Sequence, residues 1–419
     1  MMADLKRNFY VGFIALSIMM SMLVGQDASV RPYSPVYFAI VLPALVVPLL
    51  WWRGIAAAAM GIGWPLVVLA LLAGGWQLAM GDYRAVIQLF LFVWVLLWVC
   101  ALDVRLSTRA YMVLFAGSIV AGCVGYFVLH NNPWGFLPRM TSSDFTIWRL
   151  SFFPSVVLTG LFSLFLLIAV AESRESFRLR LVSNMAGFYF LIFSFVRTAM
   201  LAGAIYAPLA VWFSRVRENW RILFFVPVIL VLLIHGSILV APHFLVLFQD
   251  NEIVSRLLLR GKTGLDVKDV YDQISRPWIW QKHFEFFLSS PYLMGLGNFD
   301  FFSLAVPVPE PNQPVLSGSE ALVTRLLATY GWPAFFLIYF MVARLYQHAR
   351  AGDYLVCAIF PGVVILAMNY GSVLHPSSFL FVLYFQLLIH GRKTFADNVR
   401  EDMTSARAAD PHIRESNSA

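Results

Sequence analysis

Four charged residues in an otherwise apolar sequence are the clearest candidates for binding or catalysis: Arg197, Arg276, Arg325 and Glu320. Arg276 heads the segment SRPWIWQKHFEFF, and Arg197 interrupts an apolar run in FSFVRTAML. Two guanidinium groups on one surface can hold a pyrophosphate through bidentate hydrogen bonds. The alternative for Arg276 is a solvated or helix-capping role. Arg197 is less easily explained in that way, because a cation near an apolar core is costly and usually has a function.

The segment SGSEALVTRLLATYG places Glu320 and Arg325 at the start of an apolar span. A partly buried carboxylate has a raised pKa, so Glu320 is a candidate general base for a sugar hydroxyl. Its alternative is a helix N-terminal charge favoured by the helix dipole, with Ser317 or Ser319 as the cap. Arg325 is a candidate for substrate binding, or it snorkels or pairs with an acid. His375, in NYGSVLHPSSF, is a second candidate for the base and for substrate contact.

The residues after Arg276 predict a short helix of about 13 residues. Ser275 suits the N-cap, Pro277 suits the first turn, and Pro291 follows the predicted end. Such a helix is too short to span a membrane, so we expect it to lie on the membrane or on the helix bundle.

Aromatic residues recur along this helix at helical spacing, at Trp280, Phe284 and Phe287. We expect most of them to anchor the helix at the membrane interface, and Trp280 is also a candidate for substrate binding. Gly295 and Gly297 follow the helix and permit a tight backbone turn.

The composition indicates an integral membrane protein. Of 419 residues, 60% are hydrophobic and 13% are charged, and the mean hydropathy is +0.75, whereas soluble domains carry about 25% charged residues. The net charge of +7 indicates basic cytoplasmic loops rather than nucleic-acid binding. Cys100, Cys123 and Cys357 lie in apolar runs and match neither a disulfide framework nor a zinc site. No metal or nucleotide motif is recognisable, so no cofactor is expected.

Apolar runs of about 20 residues predict the membrane spans. The stretch 181–213 is too long for one ordinary helix, and arginines flank both of its ends. We therefore predict two short spans that turn near Arg197, the alternative being one long tilted helix with Arg197 buried in it. The other spans are predicted near 9–25, 36–52, 55–73, 85–102, 110–128, 155–171, 222–240, 331–346, 354–370 and 377–390.

These runs give about twelve spans with both termini in the cytoplasm. The bias of basic residues supports this orientation and places the large loop between spans 9 and 10 outside. The predicted regions are spans 1 to 9 (1–240), the large periplasmic loop (241–320), spans 10 to 12 (321–391) and a disordered cytoplasmic tail (392–419). The fold class is therefore an all-α polytopic membrane protein.

Four motifs in this order resemble the O-antigen ligase and polysaccharide polymerase (Wzy-type) superfamily. They are an arginine in an S-x-x-R-x-x-x-L context, R-x-x-x-W, P-x-x-x-G-x-G and a polar motif opening a helix that ends in glycine. In this sequence they cover Ser194 to Leu201, Arg276 to Trp280, Pro291 to Gly297, and Glu320 to Gly331.

The resemblance implies an inverting, metal-independent glycosyltransferase with a GT-C-like fold in the bacterial inner membrane. Its donor would be a glycan on undecaprenyl pyrophosphate, with Arg197 and Arg276 holding the pyrophosphate. Implied partners are membrane lipids and a flippase and chain-length regulator of the same pathway.

The sequence differs from the family pattern at one position that helps to distinguish ligases from polymerases. Ligases of this superfamily typically open the helix after the loop with His followed by Asn, whereas this sequence has Glu320 and Ala321 there. This favours a polymerase of O-antigen or exopolysaccharide repeat units over a ligase that transfers glycan to lipid A core or protein. A transporter or flippase, or a non-catalytic scaffold, is a further alternative. Clear midplane charges and internal repeats, which would favour transport, are not found.

Overall fold

The computed structural model describes most of the chain, with gaps concentrated in the long loop and the C-terminal tail. The described residues are 2–23, 35–132, 135–136, 139–142, 145–251, 264, 266, 276–299, 304, 321–369 and 378–395. Glu320 and His375 lie outside them.

Helices dominate the described residues, and one antiparallel pair of strands joins two of them. The helices are α1 (Met2–Leu23), α2 (Pro35–Val46), α3 (Trp52–Met60), α4 (Trp64–Ala79), α5 (Tyr83–Cys100), α6 (Thr108–Phe127), α7 (Val156–Ala171), α8 (Phe177–Phe193), α9 (Arg197–Arg215), α10 (Trp220–Leu247), α11 (Arg276–Ser289), α12 (Leu322–Tyr330), α13 (Phe335–Arg350), α14 (Tyr354–Asn369) and α15 (Phe379–His390). The strands are β1 (Arg139–Ser142) and β2 (Phe145–Arg149), between α6 and α7.

Several of these helices have the length and hydropathy of membrane spans, so the protein has the helices of a membrane protein, as the composition predicts. Within the described residues, four segments qualify by length and composition: Phe38–Met60, Tyr83–Cys100, Thr108–Phe127 and Trp220–Ser237. Three shorter apolar helices accompany them: α4, α7 and α14.

The boundary predicted between the second and third spans is wrong. The helical segment that begins in α2 continues through a 3-10 turn (Val47–Trp51) and α3 to Met60, so Arg53 lies inside it rather than in a loop. The break falls at Gly61–Gly63, followed by Pro65 in the first turn of α4. Proline at that position has no amide hydrogen to lose. A Cβ on Gly63 would lie 2.6 Å from Leu97 Cδ2 and 3.0 Å from Ala58 O, so a larger residue there would require the Leu97 side chain to shift.

The stretch 181–213 forms two helices, as predicted, and not one. Helix α8 ends at Phe193 and α9 begins at Arg197, with a turn at 194–196 between them. Phe195 has a φ of +53°, a left-handed conformation that a helix interior does not contain.

Burial distinguishes central helices from peripheral ones. In the α5 window 61% of the residues are buried, whereas in Trp220–Ser237 of α10 only 11% are. Helices α7, α14 and α15 are buried around most of their circumference. An apolar helix that is buried on all sides belongs to the core, and one that is apolar and exposed faces lipid. The core therefore consists of α5, α7, α14 and α15, with α10 at the periphery.

Helix α9 packs antiparallel to α14. Ala202 contacts Gly362, where a Cβ would lie 3.1 Å from that of Ala202, and the carbonyl of Arg217 lies against Gly352. Residues later in α9 thus contact residues earlier in α14. The start of α9 therefore lies beside the end of α14, and we call this side of the bundle the Arg197 end.

The opposite side, the Arg392 end, gathers the two described chain termini. Lys6 Nζ of α1 donates to Ala101 O after α5, at 3.0 Å, and His390 Nε2 is 2.9 Å from Val99 O. Leu106 forms a parallel bridge with Phe395. The β1–β2 hairpin lies at the Arg197 end, since Leu150 N donates to Phe193 O at 3.0 Å.

Residues 392–395 do not belong to the predicted disordered tail. A 3-10 helix spans Gly391–Thr394, and Phe395 is fully buried against Tyr111 and Phe165. The aromatic ring of Phe395 contributes apolar burial that composition alone does not reveal, because the residues after it are polar. The remainder, 396–419, is outside the described residues.

Candidate functional site

Arg197 is the first residue of α9 and lies at a helix end, not in a helix interior. The turn before it packs on Gly160 of α7, where a Cβ would lie 2.8 Å from Ser194 Oγ and from Val196 Cβ. Ser194 Oγ donates to Leu191 O at 2.9 Å, which ends α8. The Arg197 side chain is half-buried, with its guanidinium 5.9 Å from the centre of the Phe195 ring. The turn thus holds one cation at the Arg197 end.

Helix α11 begins at Arg276 and ends at Ser289, close to the bounds predicted from its prolines. Trp280 is 3% exposed, and its Nε1 donates to Met368 O near the end of α14 at 3.0 Å. Its ring centre is 5.5 Å from that of His235 in α10. The first half of α11 therefore docks on the end of α14.

Because of this docking, Trp280 is not an interfacial anchor. Its indole is buried and its donor is satisfied by Met368 O, so in this structure Trp280 positions α11 instead of presenting a face to a ligand. Phe284, which is 46% exposed, has the accessibility expected of an anchor. Phe287 is buried and packs near Phe335.

Arg276 is the first residue of α11, one helical turn before Trp280. Since α11 and α12 contact each other through His283 and Thr324, and Leu296 after α11 bonds Ala328 late in α12, the two helices run in the same direction. Measured from that contact, the start of α11 extends about one helical turn beyond the start of α12, where Ala321 is fully buried. Glu320 directly precedes Ala321 in the chain.

His283 is a buried residue that the sequence did not single out. Its Nδ1 is 2.9 Å from Thr324 Oγ1, and the side chain is fully buried. Burial, together with the nearby positive charge of Arg325, lowers the pKa of His283 to about 3. The imidazole is therefore neutral at physiological pH and links α11 to α12.

Arg325 follows Thr324 in α12, next to this link, and its side chain is exposed. An exposed guanidinium in the first half of α12 can form charge-assisted hydrogen bonds with an anionic ligand.

The two motif glycines have a structural role. Gly295 and Gly297 have φ values of +82° and +73°, and Leu296 N and Gly297 N donate to Ala328 O and Thr329 O at 2.8 and 3.0 Å. A Cβ on Gly295 would overlap the carbonyl of Thr329. The P-x-x-x-G-x-G segment thus forms a backbone clamp on the end of α12.

Side chains of α4 and α5 complete this clamp. Gln77 Nε2 donates to Thr329 O at 3.1 Å, and Asp82 accepts from Asn298 N while also capping α5 through Ala85 N at 3.1 Å. The clamp lies at the end of α12, about 13 Å along its nine residues from the start. The glycines therefore orient α12 and do not line the place where the starts of α9, α11 and α12 meet.

Four elements converge at the Arg197 end: the starts of α9, α11 and α12 and the end of α14. Arg197 and Trp280 each lie beside the end of α14, Arg276 is one turn before Trp280 in α11, and α12 carries Arg325. The side chain of Arg276, like Glu320 and His375 altogether, is outside what the structure describes. Among the described residues, no group of three or more His, Cys, Asp or Glu side chains is placed to hold a metal ion.

Sequence reasoning missed the residues that hold this site together, His283, Thr324, Gln77 and Asp82. Asp82 was recognisable as an N-cap before an apolar helix, but its bond to Asn298, far away in the chain, was not. His283 lies three residues after Trp280, on the same face of α11. That spacing was the only sequence signal for its burial.

Comparison with known proteins does not identify a family for this chain. No protein-family model matches this sequence, and no curated protein is significantly similar to it.

Proposed function

We propose that this protein is a membrane glycosyltransferase that polymerises oligosaccharide repeat units carried on a lipid pyrophosphate, working at the Arg197 end of the bundle. The main support is the convergence of α9, α11, α12 and α14. The arginine of α9, the R-x-x-x-W helix and a helix with an exposed arginine lie at one end of an apolar bundle. Polymerases of this type extend O-antigen or exopolysaccharide, and their substrate would be undecaprenyl-pyrophosphate-linked glycan.

In the proposed reaction, a hydroxyl of the acceptor glycan attacks the anomeric carbon of the donor. The bond from that carbon to the pyrophosphate oxygen breaks, and both electrons leave with the lipid pyrophosphate. Attack opposite to the leaving group inverts the anomeric configuration. Arg197 and Arg276 hold the pyrophosphate, and their charges stabilise the negative charge that develops on the bridging oxygen.

The proton of the attacking hydroxyl passes to a general base, which we assign to Glu320. His283 is a poor base for this task, because it is buried, bonded to Thr324 and has a pKa of about 3. Arg325, which is exposed in α12, contacts phosphate or sugar groups of the substrate. The lipid carrier places this chemistry on the periplasmic side of a bacterial inner membrane, with both chain termini in the cytoplasm.

Gene deletion tests the reaction class. Loss of long chains with single repeat units still attached to the lipopolysaccharide core supports an O-antigen polymerase, and loss of secreted polymer with normal lipopolysaccharide supports an exopolysaccharide polymerase. Complete loss of attached units, with lipid-linked polymer accumulating, would instead indicate a ligase. Normal glycans of both kinds would contradict the proposal.

Substitution tests the residues. Arg197→Ala, Arg276→Ala and Glu320→Ala, expressed in the deletion strain, are each expected to lower polymer formation about 100-fold, since each removes a charge-assisted contact made in the transition state. Arg109→Ala, an exposed arginine at the start of α6, is the control and should restore full-length polymer. Full activity of all three variants at normal expression would refute the mechanism.

A further inference from the structure

Exposed arginines cluster at the Arg392 end, on the opposite side of the bundle from the candidate site. The turn before α10 contacts the turn before α14, because the carbonyl of Arg217 lies where a Cβ on Gly352 would be 3.2 Å away. This contact unites the ends of α9 and α13 with the start of α10. The arginines, here called the Arg217 cluster, are Arg215, Arg217, Arg221 and Arg350.

The Arg217 cluster carries an excess of positive charge. Within the described ranges, none of its four members forms an ion pair with an acidic side chain. Asp353, close in the chain to Arg350, is already engaged by His348 Nδ1 at 3.2 Å and by Arg392 N at 3.1 Å. Glu218 is the one acidic residue of the α9–α10 turn, where Arg215, Arg217 and Arg221 all lie within three residues of it in the sequence. The guanidinium groups of the Arg217 cluster are therefore available to an anion from outside the chain.

Aromatic rings support these arginines. The guanidinium carbons of Arg221 and Arg350 lie 5.9 and 5.4 Å from the centre of the Trp220 ring. Trp220 in turn is 5.7 Å from the ring of Tyr346. Cation–π contacts restrict both arginine side chains, and Trp and Tyr favour the depth of lipid headgroups.

An apolar surface continues from the cluster along α10. Phe225, Ile229 and Leu232 are 52%, 51% and 67% exposed, in the helical segment with the least buried window of the four membrane-span candidates. Basic groups at the end of a lipid-facing helix suit a phospholipid. The arginines lie at the depth of the anionic headgroup, and the exposed apolar face of the helix contacts the acyl chains.

We propose that the Arg217 cluster binds the headgroup of an anionic phospholipid, such as phosphatidylglycerol or cardiolipin, whose acyl chains lie along the exposed face of α10. This lipid is distinct from the pyrophosphate carrier of the proposed reaction, because the length of α9, about 28 Å for its 19 residues, separates the cluster from Arg197. The site does not depend on the proposed function.

Native mass spectrometry of the full-length protein in detergent tests this site. Phosphatidylglycerol and phosphatidylethanolamine are titrated separately onto the protein and onto the Arg217→Gln/Arg221→Gln/Arg350→Gln variant. We expect phosphatidylglycerol to bind the unsubstituted protein more tightly than phosphatidylethanolamine, and the variant to lose at least about tenfold in phosphatidylglycerol affinity, since each interfacial arginine strengthens the attraction to an anionic lipid. If the triple variant does not fold, Arg217→Gln/Arg350→Gln is measured in its place.

The matched control is the triple variant Arg109→Gln/Arg178→Gln/Arg180→Gln, which removes the same number of positive charges from the same end of the bundle. It should bind phosphatidylglycerol as tightly as the unsubstituted protein. Equal phosphatidylglycerol binding by the cluster and control variants would overturn the proposal, as would equal binding of the two lipids. Thermal unfolding distinguishes a lipid site from a site for a free anion. If inorganic phosphate raises the melting temperature as much as phosphatidylglycerol does, the proposal of a lipid site is overturned.

Discussion

His283 and Arg325 lie close together at the candidate site, but they differ in burial and therefore suit different roles. His283 and Arg325 are near enough for the arginine to lower the pKa of the histidine. His283 is fully buried and bonded to Thr324, whereas Arg325 remains accessible to water. The histidine is thus suited to connect two helices, and the arginine is suited to meet an anion.

The buried histidine makes stability depend on pH. Its pKa is about 3 in the folded protein and about 6.5 in the unfolded chain, so the unfolded state binds the extra proton between these values and stability falls as pH drops below about 6.5. We expect a loss of about 2 kcal/mol from pH 7.5 to pH 5. Thermal unfolding in detergent across this range measures it.

His283→Gln is the control for this prediction, because the amide keeps a hydrogen-bonding group for Thr324 but does not titrate. Its melting temperature should vary less between pH 7.5 and pH 5 than that of the unsubstituted protein. Identical pH profiles for the two proteins would assign the dependence to other groups.

Among the elements, the loop segment that follows α11 is attached to α12 by backbone hydrogen bonds. The glycine clamp bonds residues 296 and 297 to the end of α12, and Gln77 of α4 bonds the same Thr329 carbonyl. Gly331, with a φ of +70°, ends α12 and passes the chain to α13. The orientation of α12, and with it Arg325, therefore depends on positions where no side chain fits.

Gly295→Ala should destabilise the protein by about 3 kcal/mol or more. A left-handed conformation costs an alanine roughly 1–2 kcal/mol, and the overlap of the new Cβ with the Thr329 carbonyl adds a packing penalty. The melting temperature and the yield of folded protein in detergent report this change.

Gly75→Ala provides the comparison, in α4 two residues before Gln77. A Cβ there would meet nothing within 4 Å, so the substitution should be neutral or stabilise the helix by up to about 1 kcal/mol. If both alanines leave the melting temperature unchanged, the clamp does not hold α12.

At the scale of the whole molecule, a buried polar network closes the Arg392 end. Arg392 Nε pairs with Glu172 Oε2 at 3.1 Å, and Tyr354 donates to the other oxygen of this carboxylate at 3.4 Å. Asp353 accepts from Arg392 N and His348. These contacts join the end of α7, the start of α14 and the residues after α15, so they hold the C-terminal helix in the core.

Breaking the Glu172–Arg392 pair should destabilise the protein, because burial raises the pKa of Glu172 and the charge of Arg392 opposes that rise. We expect Arg392→Gln to cost about 2 kcal/mol, less than a fully buried pair would, since the arginine side chain is 32% exposed. Thermal unfolding at pH 7.5 measures the loss.

The double variant Glu172→Gln/Arg392→Gln separates the pair from its surroundings. It should recover part of the stability lost in Arg392→Gln, because no unpaired carboxylate then remains buried. Additive losses from the two single substitutions would show that the residues stabilise the protein independently.

The elements that local chemistry specifies were predictable. Prolines and a capping serine predicted α11 to within a residue or two of its observed bounds. Flanking arginines predicted two helices in 181–213. The break at Gly61–Gly63 was misplaced because apolar residues continue across it, and hydropathy cannot separate two adjoining apolar helices. Phe395 was assigned to the tail because polar residues follow it.

Sequence patterns alone indicate an apolar helical protein, the positions of its arginines along the chain, and the glycines and prolines that end its helices. These properties depend on side-chain hydropathy and on backbone conformation over a few residues. The contacts between distant segments come from the tertiary structure: α9 and the first half of α11 lie beside the end of α14, His283 bonds Thr324, and Gln77 and Asp82 each bond a residue more than 200 positions away. Such contacts depend on how helices pack against one another, and packing between apolar surfaces leaves no pattern in the order of the residues.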